Sequence, residues 1–242
     1  MVGRNWGNLG LAALAVLTVV VVALAFFRLE RAGASLSAAP AGAVTAGAAS
    51  TGASTDDGST VAFIGDAYTL APSADDPAWT SVAADELGWR PVEVDPGAGY
   101  DTSLTGAEAS DYCGKSSCPA YQDLVGEVTG ETPDIVVISG GRNDGRKGIG
   151  GAAEELFSTL KEDLPDARIV VLSPFYDDDP APSWLDKQSA ALEKAAGDVG
   201  VEFVDVGRPL EGKADLVGED GKLPNAAGQE AIGKAVASAL AN

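Results

Sequence analysis

The stretch "VAFIGDAYTLAPS", residues 61–73, decides the interpretation of this chain. Its four apolar residues Val61–Ile64 predict a strand that is buried on both faces of a sheet. Gly65 and Asp66 then predict a tight turn into a helix start, and such a turn presents one side chain at the carboxyl end of the strand. The side chain presented here is the methyl group of Ala67. A sharp strand-to-helix turn is thus combined with a residue that has no reactive group.

The sequence after this turn continues to alternate between strand and helix patterns. Val- and Ile-rich runs without polar alternation are typical of a parallel sheet that helices cover on both faces. We therefore expect one three-layer α/β/α domain over residues 61–242, built on a five-stranded parallel sheet. The predicted strands are Val61–Ile64, Val92–Val94, Asp134–Ser139, Arg168–Ser173 and Glu202–Val206, and the predicted helices are Ala78–Leu87, Tyr121–Val128, Gly150–Leu164, Trp184–Val199 and Asn225–Leu240.

The chain before this domain has the composition of a membrane anchor and a linker. Residues 9–27 are apolar and uncharged, and about 20 such residues span a bilayer as one transmembrane helix. The aromatic pair Phe26 and Phe27, followed by charges, favours an uncleaved anchor over a signal peptide, which has small residues at its cleavage site; a buried core helix is the other alternative. Residues 1–8 then form a short tail, and residues 28–60, rich in Ala, Gly, Ser and Thr, a flexible linker.

Cys113 and Cys118 are the only two cysteines, and four residues separate them. The chain has no histidine, so a zinc site would lack ligands. A structural disulfide is the better interpretation, with two reduced thiols as its alternative, and it indicates an oxidising compartment. Positive charges flank residues 9–27 on both sides and do not decide the orientation. We expect a single-pass protein of the cell membrane whose C-terminal domain lies outside the cytoplasm.

The charge of the chain excludes one class of partner. There are 36 acidic and 16 basic residues, a net charge of −20. Charges before residue 61 cancel, so the domain carries the whole excess. Such a surface repels phosphate, which argues against nucleic acid and anionic lipid as partners. The run Asp177–Asp179 lacks the ligand spacing of a Ca²⁺ site and predicts a solvated loop. We expect neither a metal ion nor another cofactor.

Four short motifs lie at the strand ends or before the last helix, and ligands of open α/β sheets bind at the carboxyl ends of the strands. They read "GDA" at 65–67, "DPGAG" at 95–99, "GGRND" at 140–144 and "EDGKLPN" at 219–225. Each motif alone is common in ordinary turns, but their order and placement are specific. Together they resemble the motifs of the SGNH hydrolase (GDSL esterase/lipase) family, over the whole of residues 61–242.

The resemblance implies an SGNH, flavodoxin-like fold and family roles for five positions. Ala67 stands where the family has its nucleophilic serine, and Leu223 where it has the histidine base. Asp220 matches the acid of the triad. Gly97, with Gly99 as the alternative, would supply a backbone N–H to the oxyanion hole, and the Asn143 side chain would complete it. The remaining residues that we expect at this binding edge are Asp66, Gly99, Gly141 and Asp144.

Loss of both the serine and the histidine predicts loss of hydrolysis, because a hydroxyl attacks only when a base takes its proton. We expect a catalytically inactive protein of the bacterial cell envelope that binds a polysaccharide, an acylated ligand or an envelope protein. One alternative is an active esterase, lipase or carbohydrate deacetylase that uses other residues, such as a carboxylate pair from Asp66, Asp144, Glu219 and Asp220.

The other alternative is a purely structural module of a membrane complex. An open cleft into which Asn143 and Gly97 point would favour ligand binding. A filled cleft would favour the structural module.

Overall fold

The computed structural model describes residues 58–113, 115–219 and 221–241. The predicted anchor at 9–27, most of the predicted linker and Asp220 lie outside these residues. Among the helices in the described ranges, none has both the length and the apolar character needed to cross a membrane.

The described residues form short strands and mostly longer helices in alternation. The strands are β1 Thr60–Ile64, β2 Arg90–Val92, β3 Leu104–Thr105, β4 Ser117–Cys118, β5 Ile135–Ile138, β6 Arg168–Leu172 and β7 Glu202–Val204. The α-helices are α1 Trp79–Leu87, α2 Gly106–Cys113, α3 Val125–Glu131, α4 Gly150–Asp163, α5 Ser183–Val199 and α6 Ala226–Leu240.

Five of these strands form the predicted parallel sheet, in the order β2-β1-β5-β6-β7. Ile64 of β1 pairs with Ile138 of β5, so the two strands end side by side. The strand order reverses at β1, because β2 lies on one side of it and β5 on the other. The carboxyl ends of β1 and β5 therefore meet at the topological switch point, where ligands bind in such sheets.

The two faces of the sheet are covered by different helices, as predicted. On one face, alternate residues such as Ala62 and Ile64 pack in a core with side chains of α3, α4 and α5. On the other face, Val61 and Phe63 pack in a second core with side chains of α1 and α6. This alternation follows from the pleat of a strand, in which successive side chains point to opposite faces. The predicted three-layer α/β/α sandwich is confirmed.

The disulfide region and the start of the domain differ from the sequence-based expectation. The region around Cys113 and Cys118, for which no helix or strand was predicted, contains α2 and an antiparallel β3–β4 pair. The predicted disulfide between the two cysteines is present. The domain also begins earlier than residue 61, because Thr60 belongs to β1 and the Gly58 N–H donates a hydrogen bond to Gly88 O. The last residues of the predicted linker are therefore part of the fold.

Candidate functional site

The turn after β1 is built around the Asp66 carboxylate. Oδ1 accepts a hydrogen bond from the Tyr68 N–H at 2.9 Å and caps a 3₁₀ turn over Ala67–Thr69. The Ala67 methyl lies inside this arrangement, and the residue is 5% exposed. The turn predicted from the sequence is therefore present, but the side chain at its tip is buried.

The Asn143 side chain joins three of the predicted motifs. Its Nδ2 donates to Asp66 Oδ2 and to Ala98 O, both at 2.9 Å. The loop after β5 thus contacts the turn after β1 and the "DPGAG" segment after β2, as expected for neighbouring strand ends. Since an amide nitrogen has two hydrogens, both are used within the protein, and neither is left for a ligand.

The two glycines expected near a ligand are instead packed against the protein. The Gly97 N–H, the expected oxyanion donor, donates to Gly65 O at 2.9 Å. A Cβ at Gly97 would lie 2.6 Å from the Tyr121 ring, and one at Gly99 would lie 2.6 Å from Asp144 Oδ2. Their lack of a side chain therefore lets the Tyr121 ring and the Asp144 carboxylate approach the backbone.

The glycine pair of the "GGRND" motif also has a structural cause. Gly140 and Gly141 have φ values of +152° and +113°. Residues that carry a side chain rarely adopt such values. A Cβ at Gly140 would lie only 2.0 Å from Tyr121 Oη, and one at Gly141 would lie 3.2 Å from Gln188 Oε1. The pair thus turns the chain sharply after β5 and brings Asn143 back towards β1.

Tyr112 reaches the site from α2. Its hydroxyl lies near the backbone N–H of Ala67 and the Asp66 carboxylate. Burial raises the pKa of Tyr112, and the nearby Asp66 charge raises it further, so the hydroxyl stays protonated. Backbone N–H groups at such a turn are typical donors to an oxyanion, and a phenol lies beside this donor. Tyr112 was missed from the sequence, where its only signal is its place next to Cys113.

Arg142 fills the space on the other side of the turn. Its guanidinium lies 5.3 Å from the centroids of both the Tyr68 and Tyr176 rings and pairs with Asp177 at 2.9 Å. Tyr68 Oη donates to Lys222 O at 2.7 Å, which ties the turn to the last motif. Asp177 is buried, so the prediction of a solvated loop is wrong at this residue. Nothing in the sequence of the acidic run indicates that Asp177 pairs with Arg142.

Leu223, at the position of the family histidine, is half-buried and packs against the core on the α1 and α6 face. The Asp220 carboxylate, expected as the triad acid, lies outside the described residues. Packing at Leu223 therefore supports the fold on this side of the site.

Asp66 and Asp144, two of the carboxylates considered for an acid–base pair, accept hydrogen bonds from backbone N–H groups instead. Burial raises the pKa of Asp66 to about 6, against the hydrogen bond from Tyr68 and the charge of Arg142, which lower it. Asp144 accepts from the Tyr100 and Asp101 N–H groups at 3.0 and 2.9 Å and is 3% exposed. Glu219 is exposed. Within the described ranges, the acidic and cysteine side chains form no group that could hold a metal ion.

Comparison with known proteins agrees with this architecture. The model of the GDSL-like lipase/acylhydrolase family matches residues 54–231. A catalytic mutant of an acetylxylan esterase from Geobacillus stearothermophilus has a TM-score of 0.52 at 17% identity, over 77% of this chain and 95% of the esterase. A carbohydrate acetylesterase from Sinorhizobium meliloti has a TM-score of 0.54 at 20% identity, over 76% and 98% of the two chains.

A family two carbohydrate esterase from Clostridium thermocellum, solved with cellohexaose, has a TM-score of 0.54 at 18% identity, over 74% of this chain and 62% of that one. Among curated protein sequences, none matches significantly. Identities this low establish a shared fold, and a shared fold does not establish a shared substrate.

Proposed function

We propose that this chain, which belongs to the family of GDSL-like lipases and acylhydrolases, is a non-hydrolytic member of that family. In this proposal it is anchored at the membrane with its domain outside the cytoplasm. It binds a partner of the cell envelope through its surface. The observation that carries the proposal is the internal use of the hydrogen-bond donors that a hydrolase of this fold would turn towards its substrate.

Three donors support this conclusion. Asn143 Nδ2 is bonded to Asp66 and Ala98 O, and the Gly97 N–H is bonded to Gly65 O. At the third donor, the Ala67 N–H, the Tyr112 hydroxyl lies nearby. Stabilising an oxyanion requires donors that are free and already oriented, and loss of one such donor typically slows catalysis by about 10²–10³-fold. Two occupied donors and a phenol beside the third would leave little of that stabilisation.

The residues at the reacting positions support the same conclusion. Ala67 has no nucleophilic atom, and Leu223 has no basic one. A hydroxyl needs a base to become a nucleophile, so restoring one function without the other would not help. The chain has no histidine at another position that could replace the base.

The occupied donors also bear on the kind of partner. An acylated ligand would need free donors for its carbonyl, so this class has the least support. A polysaccharide or an envelope protein, bound at the surface, requires no opening of the site. Binding at the surface is compatible with both roles expected from the sequence, that of a binding protein and that of a structural module of a membrane complex.

Hydrolysis of p-nitrophenyl acetate by the full-length chain in detergent tests the proposal. We expect the rate of the wild type to equal the spontaneous rate and the Asn143→Ala variant to give the same value. A wild-type rate above the spontaneous one that falls in Asn143→Ala would contradict the proposal, since it would show that the Asn143 amide stabilises a transition state.

A further inference from the structure

A small cavity lies beside the loop that follows the "GGRND" motif. It has a volume of about 180 Å³ and lies between residues 145–149, which lead into α4, and the first half of α5. Pockets that enclose whole drug-sized molecules measure roughly 300–1,000 Å³. This cavity therefore has the size for one small unit or for the end group of a longer ligand.

The polar rim of the cavity is basic, although the protein is strongly acidic. Arg146, Lys147 and Lys187 line it and are exposed, and none of its lining residues is acidic. Lys147 Nζ donates to Asp101 O and Thr102 Oγ1, which are uncharged acceptors. For Arg146 and Lys187, no carboxylate partner is present among the described residues.

Neighbouring cations on the same helix or next to it behave differently. Lys194 of α5 forms an ion pair with Asp198, and Arg208 pairs with Asp186 at 2.7 Å. In a chain of net charge −20, a basic side chain has many carboxylates available. Three cations that line one cavity, with no carboxylate partner among the described residues, provide a local positive potential that attracts an anion.

Helix α4 starts directly after residues 145–149, which line the cavity. Helix α4 begins at Gly150, its first turn has no acidic residue, and no side chain caps it. A Cβ at Gly148 or Gly151 would meet nothing within 4 Å, so packing does not require glycine at either position. Glycine there leaves the N–H groups of the helix start uncovered, and these groups favour negative charge.

An aromatic wall completes the cavity. Trp184 at the start of α5 lines it, is half-buried and contacts Tyr176 edge to face, with ring centroids 6.2 Å apart. An indole held in place in this way offers an apolar surface to the ring of a ligand. Cations and an aromatic wall in one small cavity suit a compact ring that bears a negative group.

We propose that this cavity, defined by Arg146, Lys147, Trp184 and Lys187, binds one sugar unit that carries a carboxylate or a phosphate. The cations and the start of α4 hold the charged group, and Trp184 packs against the ring. A flat anionic membrane is a poorer ligand, because the remaining acidic surface would be repelled by it. This site is separate from the vestigial hydrolase site, and its existence does not depend on the absence of hydrolysis.

Calorimetric titration of the full-length chain in detergent with glucuronate, glucose 6-phosphate, glucose and inorganic phosphate tests the proposal. We expect the two acidic sugars to bind at millimolar concentrations, glucose not to bind, and phosphate to bind more weakly than either acidic sugar. Binding should weaken with added salt, since exposed charges are screened. Equal binding of glucose and glucuronate, or no binding of either acidic sugar, would overturn the proposal.

Two matched substitutions on α5 locate the site. Lys187→Gln and Lys194→Gln remove the same charge from exposed positions of one helix, but only Lys187 lines the cavity. We expect Lys187→Gln to weaken binding about tenfold, the value of one charge-assisted hydrogen bond, and Lys194→Gln to leave it unchanged. Equal effects would show general charge attraction instead of a site.

Trp184→Leu separates a sugar site from a simple anion site. We expect this variant to weaken the binding of glucose 6-phosphate and to leave that of inorganic phosphate unchanged. Equal loss for both ligands, with unchanged thermal unfolding, would assign the cavity to anions alone. Binding to anionic phospholipid vesicles without binding to either acidic sugar would assign it to a membrane surface, and either outcome would overturn the proposal.

Discussion

Two neighbouring core tyrosines differ in the hydrogen bonding of their hydroxyl groups. Tyr121 Oη donates to Ser139 O at 2.9 Å, whereas the buried Tyr100 Oη has no partner among the described residues. Their rings lie 5.0 Å apart, so the surroundings are otherwise similar. We expect Tyr121→Phe to lower the free energy of unfolding by about 1–2 kcal/mol and Tyr100→Phe to leave it unchanged or raise it. Urea unfolding measures both, and equal losses would contradict this interpretation.

Asp66 makes stability depend on pH in an unusual direction. Its pKa rises from 3.8 to about 6 on folding, because burial disfavours the charged carboxylate. Its contribution to stability is therefore fully present below about pH 4 and is lost as the pH rises through 6. The shift corresponds to at most about 3 kcal/mol.

The Asp66→Asn variant isolates this effect. It has no titrating group at this position, so the wild type should lose stability relative to the variant between pH 4 and pH 7. Urea unfolding of both proteins at several pH values measures the difference. A difference in unfolding free energy that does not change with pH would contradict the raised pKa.

At the same scale, the sequence predicts which residues occupy the site but not what they contact. The identities of Ala67 and Leu223 follow directly from the motifs. The approach of Tyr112 to the Ala67 N–H does not, because it brings together residues 45 positions apart in the chain and depends on where α2 lies. Gly97 was expected to admit a ligand, and only the packed chain shows that Tyr121 occupies that space.

At the scale of elements, α1 and α6 approach closely at one glycine. A Cβ at Gly233 would lie 2.6 Å from Val82 Cβ and 2.8 Å from Trp79 O, so backbone would have to move. Gly197 of α5 has nothing within 4 Å of the same atom. We expect Gly233→Ala to destabilise the domain by about 1–3 kcal/mol and Gly197→Ala to stabilise it by about 0.5–1 kcal/mol. Thermal unfolding tests the pair, and a stabilising Gly233→Ala would contradict the observed packing.

The elements of the sheet could be predicted, whereas those around the disulfide could not. Runs such as Ile135–Ile138 are continuous and buried, which is a strong local signal for a strand. Helix α2 reads "GAEASDYC" and contains no large aliphatic residue, while β3 and β4 have two residues each. Such segments are held by the Cys113–Cys118 bond and tertiary packing, which a local pattern does not reveal.

At the scale of the whole molecule, the location of the domain remains a prediction. The apolar span at 9–27 and the disulfide motivate it. We expect Cys113 and Cys118, in intact cells treated with a membrane-impermeant reductant, to react with an impermeant maleimide. A variant with Cys113→Ser and Cys118→Ser is the control. Labelling that appears only after lysis would place the domain in the cytoplasm and contradict the prediction.

The most direct test of the non-hydrolytic account restores the lost groups and then removes the phenol. Reaction with a fluorophosphonate, followed by intact mass, compares the wild type, the double variant Ala67→Ser with Leu223→His, and the same double variant with Tyr112→Ala. We expect no labelling of the wild type, and labelling at position 67 at least about tenfold faster in the triple variant than in the double variant, since the phenol beside the Ala67 N–H is then removed. Circular dichroism controls for folding. Labelling of the double variant as fast as the triple one would contradict the account.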